Sequence, residues 1–150
     1  MSDVLDLPIT VRRAFQPDIT EFEPWLMPRL QEIYPGQSVI ALRSALVNAC
    51  VSNEQWVART DNALIAARCV QENLTGTPFA RIWFALSRYP NEEMEHIAEL
   101  HHAVTRWMKM ADISRLILSD HCDAHGTYIT KRLGGTLAKA TYRIWQFPEA

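Results

Sequence analysis

Three strand-like runs follow one another between residues 55 and 88, with no room between them for a helix. Residues 55–59 (QWVAR) and 63–70 (ALIAARCV) flank Thr60-Asp61-Asn62, whose Asp and Asn accept tight-turn geometry. Residues 79–88 (FARIWFALSR) form the most hydrophobic run, expected at the centre of a sheet. Strands joined this closely pair antiparallel, because a parallel return needs a crossover of a dozen residues or more. The helices therefore lie before and after this block.

Residues 9–14 read as a first strand, with Ile9, Val11 and Arg13 on one face. Asp18 is expected to cap a helix reaching about residue 33, its carboxylate accepting from the free amides of the first turn. Phe22, Trp25, Leu26, Leu30 and Ile33 recur there at helical spacing, although Pro24 and Pro28 each remove a donor and threaten a kink. Ser38 opens a second helix to about residue 50, with Ile40, Leu42, Leu46, Val47 and Cys50 as the expected buried stripe. Asn91 opens a long helix to about residue 111, with Ile97, Leu100, Val104, Trp107, Met108 and Ala111 inward. Residues 115–119 (RLILS) are expected to form a short buried strand, and 124–133 a helix ended by Gly134. Residues 137–145 give a last strand or hairpin. The order β-α-α-β-β-β-α-β-α-β defines an α/β (α+β) domain spanning 1–150, with a mixed, mostly antiparallel sheet flanked by helices.

Composition narrows the function classes. The chain carries 15 Lys+Arg against 17 Asp+Glu, a net −2 that supplies no bulk field for coating nucleic acid. Three cysteines, with no close pair, form neither a zinc ribbon nor a CxxC redox motif. No basic leader or membrane-length apolar run is visible, so a cytoplasmic, non-secreted setting is expected.

The C-terminal half resembles the GNAT N-acetyltransferase family. The long helix carrying Val104-x-x-Trp107-Met108, followed by RLILS, is similar to its third helix and fifth strand. Residues 123–135 (DAHGTYITKRLGG) are similar to its fourth helix, which typically reads Asn-x-x-Ala, three residues, Tyr, three residues, Gly-Phe. Leu137 to Ile144 resembles its final strand. The resemblance implies a GNAT-like fold and, where the family's chemistry is kept, acetyl transfer from acyl-CoA to an amine.

The departures fall on that chemistry. In the family, a Gln/Arg-x-x-Gly-x-Gly/Ala run between the fourth strand and third helix brings backbone amides up to the acyl-CoA pyrophosphate. Here the junction reads Tyr89-Pro90-Asn91-Glu92-Glu93-Met94-Glu95-His96-Ile97, without glycine. With Trp107 setting the register, Glu92, Glu95 and Ile97 take the signature places of the cofactor site. Carboxylates in a first turn suit the helix dipole but repel a pyrophosphate at the same spot. The family's fourth-helix Tyr, a general acid toward the departing thiolate, is replaced by Thr130. Tyr128 lies two residues earlier, about 200° round the helix. Asp123 stands where Asn is common, Gly126 where Ala is, and Gly135 where Phe is.

Glu93 or Glu95 is the candidate base for an amine, against a plain reading as dipole complements. His121, Cys122 and His125 are a candidate zinc or nickel set, against solvated histidines near a helix start. Arg115, Lys131, Arg132, Lys139 and Arg143 outweigh Asp120 and Asp123 over residues 113–145, which suits either a phosphate-bearing ligand or an ordinary surface. Trp56, Trp83, Trp107 and Trp145 read as core. Trp25 and Tyr34, together with Tyr142 and Trp145 in the last strand, are the candidate interface residues.

Two readings result. The first is a GNAT-fold protein with an eroded acyl-CoA site and no cofactor, acting as a non-catalytic binding or structural component. GNAT-like proteins of that kind are encoded by bacteriophages, some as virion components. The second is an active N-acetyltransferase using acetyl-CoA. The expected partner is another protein or a second copy of the chain, with no nucleic acid and no membrane.

Overall fold

A computed structural model describes residues 9–113 and 115–118, with side chains for all of these except 92–94, 117 and 118. The elements are β1 (Arg12–Arg13), α1 (Gln16–Ile33), α2 (Val39–Val51), β2 (Gln55–Arg59), β3 (Ala63–Gln71), β4 (Pro78–Ser87), a 3₁₀ turn (Pro90–Glu92), α3 (Glu93–Met110) and β5 (Leu116–Leu118). The sheet order is β1-β2-β3-β4-β5. The first three pairings are antiparallel, and β5 joins β4 in parallel through Ala80–Leu116 to Ile82–Leu118. The chain is therefore α/β with a mixed, mostly antiparallel sheet, and its order matches expectation as far as residue 118. The expected elements at 124–133 and 137–145 lie outside the described residues.

The first strand is shorter than its apolar alternation predicted. Arg12 pairs with Arg59 and Arg13 with Ala58, so Val11 would face Thr60. Thr60 is already in the turn, its amide bonded to the Ala63 carbonyl at 3.0 Å, so the ladder stops there.

Helix α1 also begins earlier than expected. The cap position is Phe15, Pro17 sits in the first turn, and Asp18 is the third helical residue. Pro17 costs nothing there, because first-turn amides have no intrahelical partner. Asp18 reaches back to the Phe15 amide at 2.8 Å, and it also accepts from Arg12 (2.6 and 3.0 Å) and Arg59 (2.8 Å). The Arg59 guanidinium lies 4.2 Å above the Phe22 ring. This cluster fastens the start of α1 to the β1–β2 edge. Burial alone would raise the Asp18 pKa, but hydrogen bonds from Arg12, the Phe15 amide and Arg59 bring it down to about 2. Pro24 and Pro28 leave α1 unbroken. Both lie on its exposed face, where water can take the carbonyls they leave without a donor.

Ser38 caps α2 as expected, accepting from the Ala41 amide at 3.1 Å. Its buried residues are Leu46, Ala49 and Cys50, with Leu42 and Val47 half-buried. Ile40, expected inside, is 72% exposed, because it lies on the side of α2 away from Val39, Leu42, Leu46 and Ala49, which pack on the core. Arg43 clasps Glu23 and ties α2 to α1.

Two cores sit on opposite faces of the sheet. Phe22, Leu26 and Leu30 of α1 pack with Leu46 and Ala49 of α2 against Val57, Leu64, Phe84 and Leu86. On the other face, Ile97, Leu100, Val104 and Met108 of α3 cover Ile65, Ile82 and a bed of alanines. Strand β4 breaks its alternation once. Ala66 pairs with Phe84 and Ala67 with Ile82, leaving Trp83 as an extra residue. Trp83 and Phe84 consequently both face α1 and α2, while Ile82 and Ala85 face α3.

Helix α3 ends in a left-handed residue, Asp112 at φ 57°. The Ile113 amide bonds back to Met108 (2.8 Å) and the Asp112 amide to Lys109 (3.3 Å), the paired bonds of a Schellman cap. Among the described residues, no helix is long and apolar enough to cross a membrane.

Candidate functional site

The residues expected to carry chemistry lie where β4 gives way to α3. Strand β4 runs five residues past its last described pair with β5, from Trp83 to Ser87, and Phe84 to Ser87 are buried. Ser87 is fully enclosed. Its hydroxyl lies 3.2 Å from the Tyr89 carbonyl and accepts from the Tyr89 amide at 3.3 Å. Its carbonyl accepts from Arg29 of α1. The β2–β3 turn closes the other side. The Arg88 amide donates to the Asn62 carbonyl at 2.6 Å, and Thr60 Oγ1 lies 2.6 Å from His96 Nδ1. A hydroxyl–imidazole contact of that length fixes the His96 ring against the turn.

The junction thus has a rigid polar floor of Thr60, Asn62, Ser87 and His96. Sequence reasoning missed this floor, because Thr60 and Asn62 read only as turn formers. The available signal was Ser87, a hydroxyl at the end of the most apolar strand, where a buried polar group needs partners.

Above the floor the chain is exposed. Arg88, Tyr89, Pro90 and Asn91 all face solvent, with the Arg88 guanidinium 5.4 Å from the Tyr89 ring centre. Pro90 starts the 3₁₀ turn and has no amide to offer. Glu92 closes that turn and Glu93 begins α3. Glu95 is exposed in the first turn of α3. Ile97, the third signature place, is fully buried under the sheet, so only its backbone could meet a ligand.

The remaining sequence candidates scatter or lie beyond the described chain. Asp123, Tyr128, Thr130, Tyr142, Trp145 and the His121/Cys122/His125 set are outside the described residues. Trp25 and Tyr34, expected on an exposed apolar surface, are instead half-buried against the α1–α2 core. Trp25 packs 5.1 Å from Phe22, and the Tyr34 hydroxyl donates to the Trp83 carbonyl at 3.0 Å. Pro24 and Pro28, expected to disturb this helix, are exposed, and the packing of Trp25 and Tyr34 on the core is intact.

No protein-family model matches the sequence, and no curated protein does. Solved structures do match. An aminoglycoside acetyltransferase from an uncultured soil metagenomic sample, in complex with trehalose, superposes with a TM-score of 0.68 at 12% identity, over 97% of this chain and 99% of that one. The aminoglycoside 6′-N-acetyltransferase AAC(6′)-Ih of Acinetobacter baumannii gives 0.68 at 12%, over 95% and 100%. A ribosomal-protein-alanine N-acetyltransferase of Brucella melitensis biovar Abortus 2308 gives 0.67 at 12%, over 93% and 100%. The chain has the fold of the GNAT acetyltransferases.

Proposed function

We propose that this protein is a GNAT-fold binding or structural component, such as part of a virion, that has lost the acyl-CoA cradle of its fold. The observation that carries this reading is the composition of the β4–α3 junction. Nothing between Arg88 and Met110 is glycine, so every amide there comes with a side chain. A pyrophosphate bound at a helix start needs close backbone approach and positive potential. The junction offers Pro90, which has no amide, and three carboxylates, Glu92, Glu93 and Glu95, against the single cation Arg88. Like charges at such a site cost free energy instead of supplying it. The donor set does not fit acyl-CoA, and no transfer step is derived through it. The retained sheet and its two cores support a role in holding a protein partner or a second copy of the chain.

The double variant Glu92→Gly with Glu95→Gly tests the reading. Calorimetric titration with acetyl-CoA should show binding gained relative to the wild type. Binding weakened by the double variant would mean that these carboxylates serve the cofactor, and the reading would fall.

The second reading, an acyl-CoA-dependent N-acetyltransferase acting on an amine, draws support from the solved structures sharing the fold, which are described as acetyltransferases. It requires wild-type binding of acetyl-CoA and a proton acceptor such as Glu93 or Glu95.

A further inference from the structure

A concavity lies at the C-terminal end of α3, about 20 Å along the helix from the β4–α3 junction. It is an open cleft of ≈ 320 Å³ between α3 and the β1–β2 edge, lined among others by Val11, Asn53, Gln55, Trp56, Arg106, Trp107 and Met110. That volume lies at the lower end of the range for small-ligand sites. Two of its lining residues are a stacked indole pair, Trp56 on β2 and Trp107 on α3, with ring centres 6.0 Å apart and planes inclined by 9°. Both indoles are half-buried, and Met110, at the lip, is 89% exposed.

Three arginines border the cleft, but they are not equivalent. Arg12 is committed to Asp18 through two hydrogen bonds. Arg13 donates to the carbonyls of Cys50 and Ser52 at the end of α2. Arg106 is exposed and makes no polar contact among the described residues, and there the side-chain amides of Asn53 and Gln55 are equally uncommitted. Among the described residues, no carboxylate lines the cleft. None stands one turn from Arg106 on α3 either, where the neighbours are His102, Ala103, Lys109 and Met110. Two parallel apolar indoles, with one guanidinium and two side-chain amides that have no partner among the described residues, describe a receptor for a flat, negatively charged molecule.

We propose that this cleft is a binding site for a small organic anion with an aromatic body, an aryl carboxylate in its simplest form. The ring packs against the Trp56–Trp107 pair. The carboxylate accepts from the Arg106 guanidinium, with Asn53 and Gln55 completing the polar rim. The site is separate from the β4–α3 junction and does not depend on whether acyl-CoA binds there.

The test uses the full chain with its tryptophan indole nitrogens labelled, titrated with indole-3-acetate and followed by NMR. The Trp56 and Trp107 signals should shift saturably. Neutral indole should bind at least about tenfold more weakly, because it lacks the charge-assisted contact. Arg106→Glu should weaken indole-3-acetate by about tenfold or more, and Arg106→Lys by less, since lysine keeps the charge but not the fork. Arg106 is exposed and unpaired among the described residues, so both variants should fold, as an unchanged melting temperature would verify. Unmoved Trp56 and Trp107 signals, equal affinity for neutral indole, or equal binding by Arg106→Glu would each overturn the proposal. So would a saturable response to an acidic peptide such as Asp-Phe-Asp with none to indole-3-acetate, which would make the cleft a protein-docking surface.

Discussion

The hydroxyl of Tyr34, at the end of α1, donates to the carbonyl of Trp83, the extra residue of the β4 bulge, at 3.0 Å. The bond couples the helix layer to the place where β4 departs from regular pairing with β3. A bulge leaves ladder groups without their usual partner. Tyr34→Phe keeps the ring and removes that donor. It should cost about 1–2 kcal/mol in urea unfolding, the range for leaving a part-buried acceptor unpaired. A change within a few tenths would show that water replaces the tyrosine.

The Asp18 cluster makes a pH-dependent prediction. Its folded pKa of about 2 lies below the ordinary carboxylate value near 4. The folded form is thus favoured by ionisation. The stabilisation is complete above about pH 4 and is lost as pH falls towards 2, and it amounts to about 2 kcal/mol. Asp18→Asn should destabilise the protein at neutral pH by about 3 kcal/mol, because it also strips Arg59 of a buried partner. Denaturation of both proteins between pH 6 and pH 2 checks this. The gap between them should narrow below pH 4, and a constant gap would contradict the assignment.

Much of the fold was legible in the sequence, for reasons particular residues make clear. Ser38 gave the start of α2 because its side chain has one dominant role at that place, and the Thr60-Asp61-Asn62 turn fixed the β2–β3 hairpin. The start of α1 was misplaced because Asp18 serves equally well as a cap or as the third residue reaching back. Only the tertiary pairing with Arg12 and Arg59 decides between these. The length of β1 depended on where β2 ends, which is non-local. At the site, the absence of glycine could be read directly. The Thr60–His96 contact could not, since it joins residues 36 apart. The stacking of Trp56 on Trp107 was hidden for the same reason, because each indole alone reads as core.

Asp112 holds a backbone conformation that suits glycine, φ 57° at the end of α3. A left-handed non-glycine residue costs roughly 1 kcal/mol, somewhat less for Asp than for most. Asp112→Gly should therefore stabilise the protein by about 0.5–1 kcal/mol. Thermal unfolding checks it, and a lower melting temperature would indicate that the Asp112 side chain contributes a contact outweighing the backbone relief.

The proposed partner role predicts an effect separable from stability. The Trp25 ring is half-buried, and its indole N–H, itself enclosed, has no hydrogen-bond partner among the described residues. If that edge of α1 meets a partner or a second copy, Trp25→Phe should weaken association in sedimentation while leaving the melting temperature within a few degrees. A monomeric wild type that no partner captures would remove the basis for this interface.

The claim that the junction between β4 and α3 no longer accepts acyl-CoA is tested most directly by titrating the wild-type protein with acetyl-CoA in a calorimeter. The account predicts a dissociation constant above about 1 mM, a binding free energy weaker than about 4 kcal/mol. A saturable, one-to-one isotherm with a micromolar constant would contradict it and would move the protein to the acetyltransferase reading.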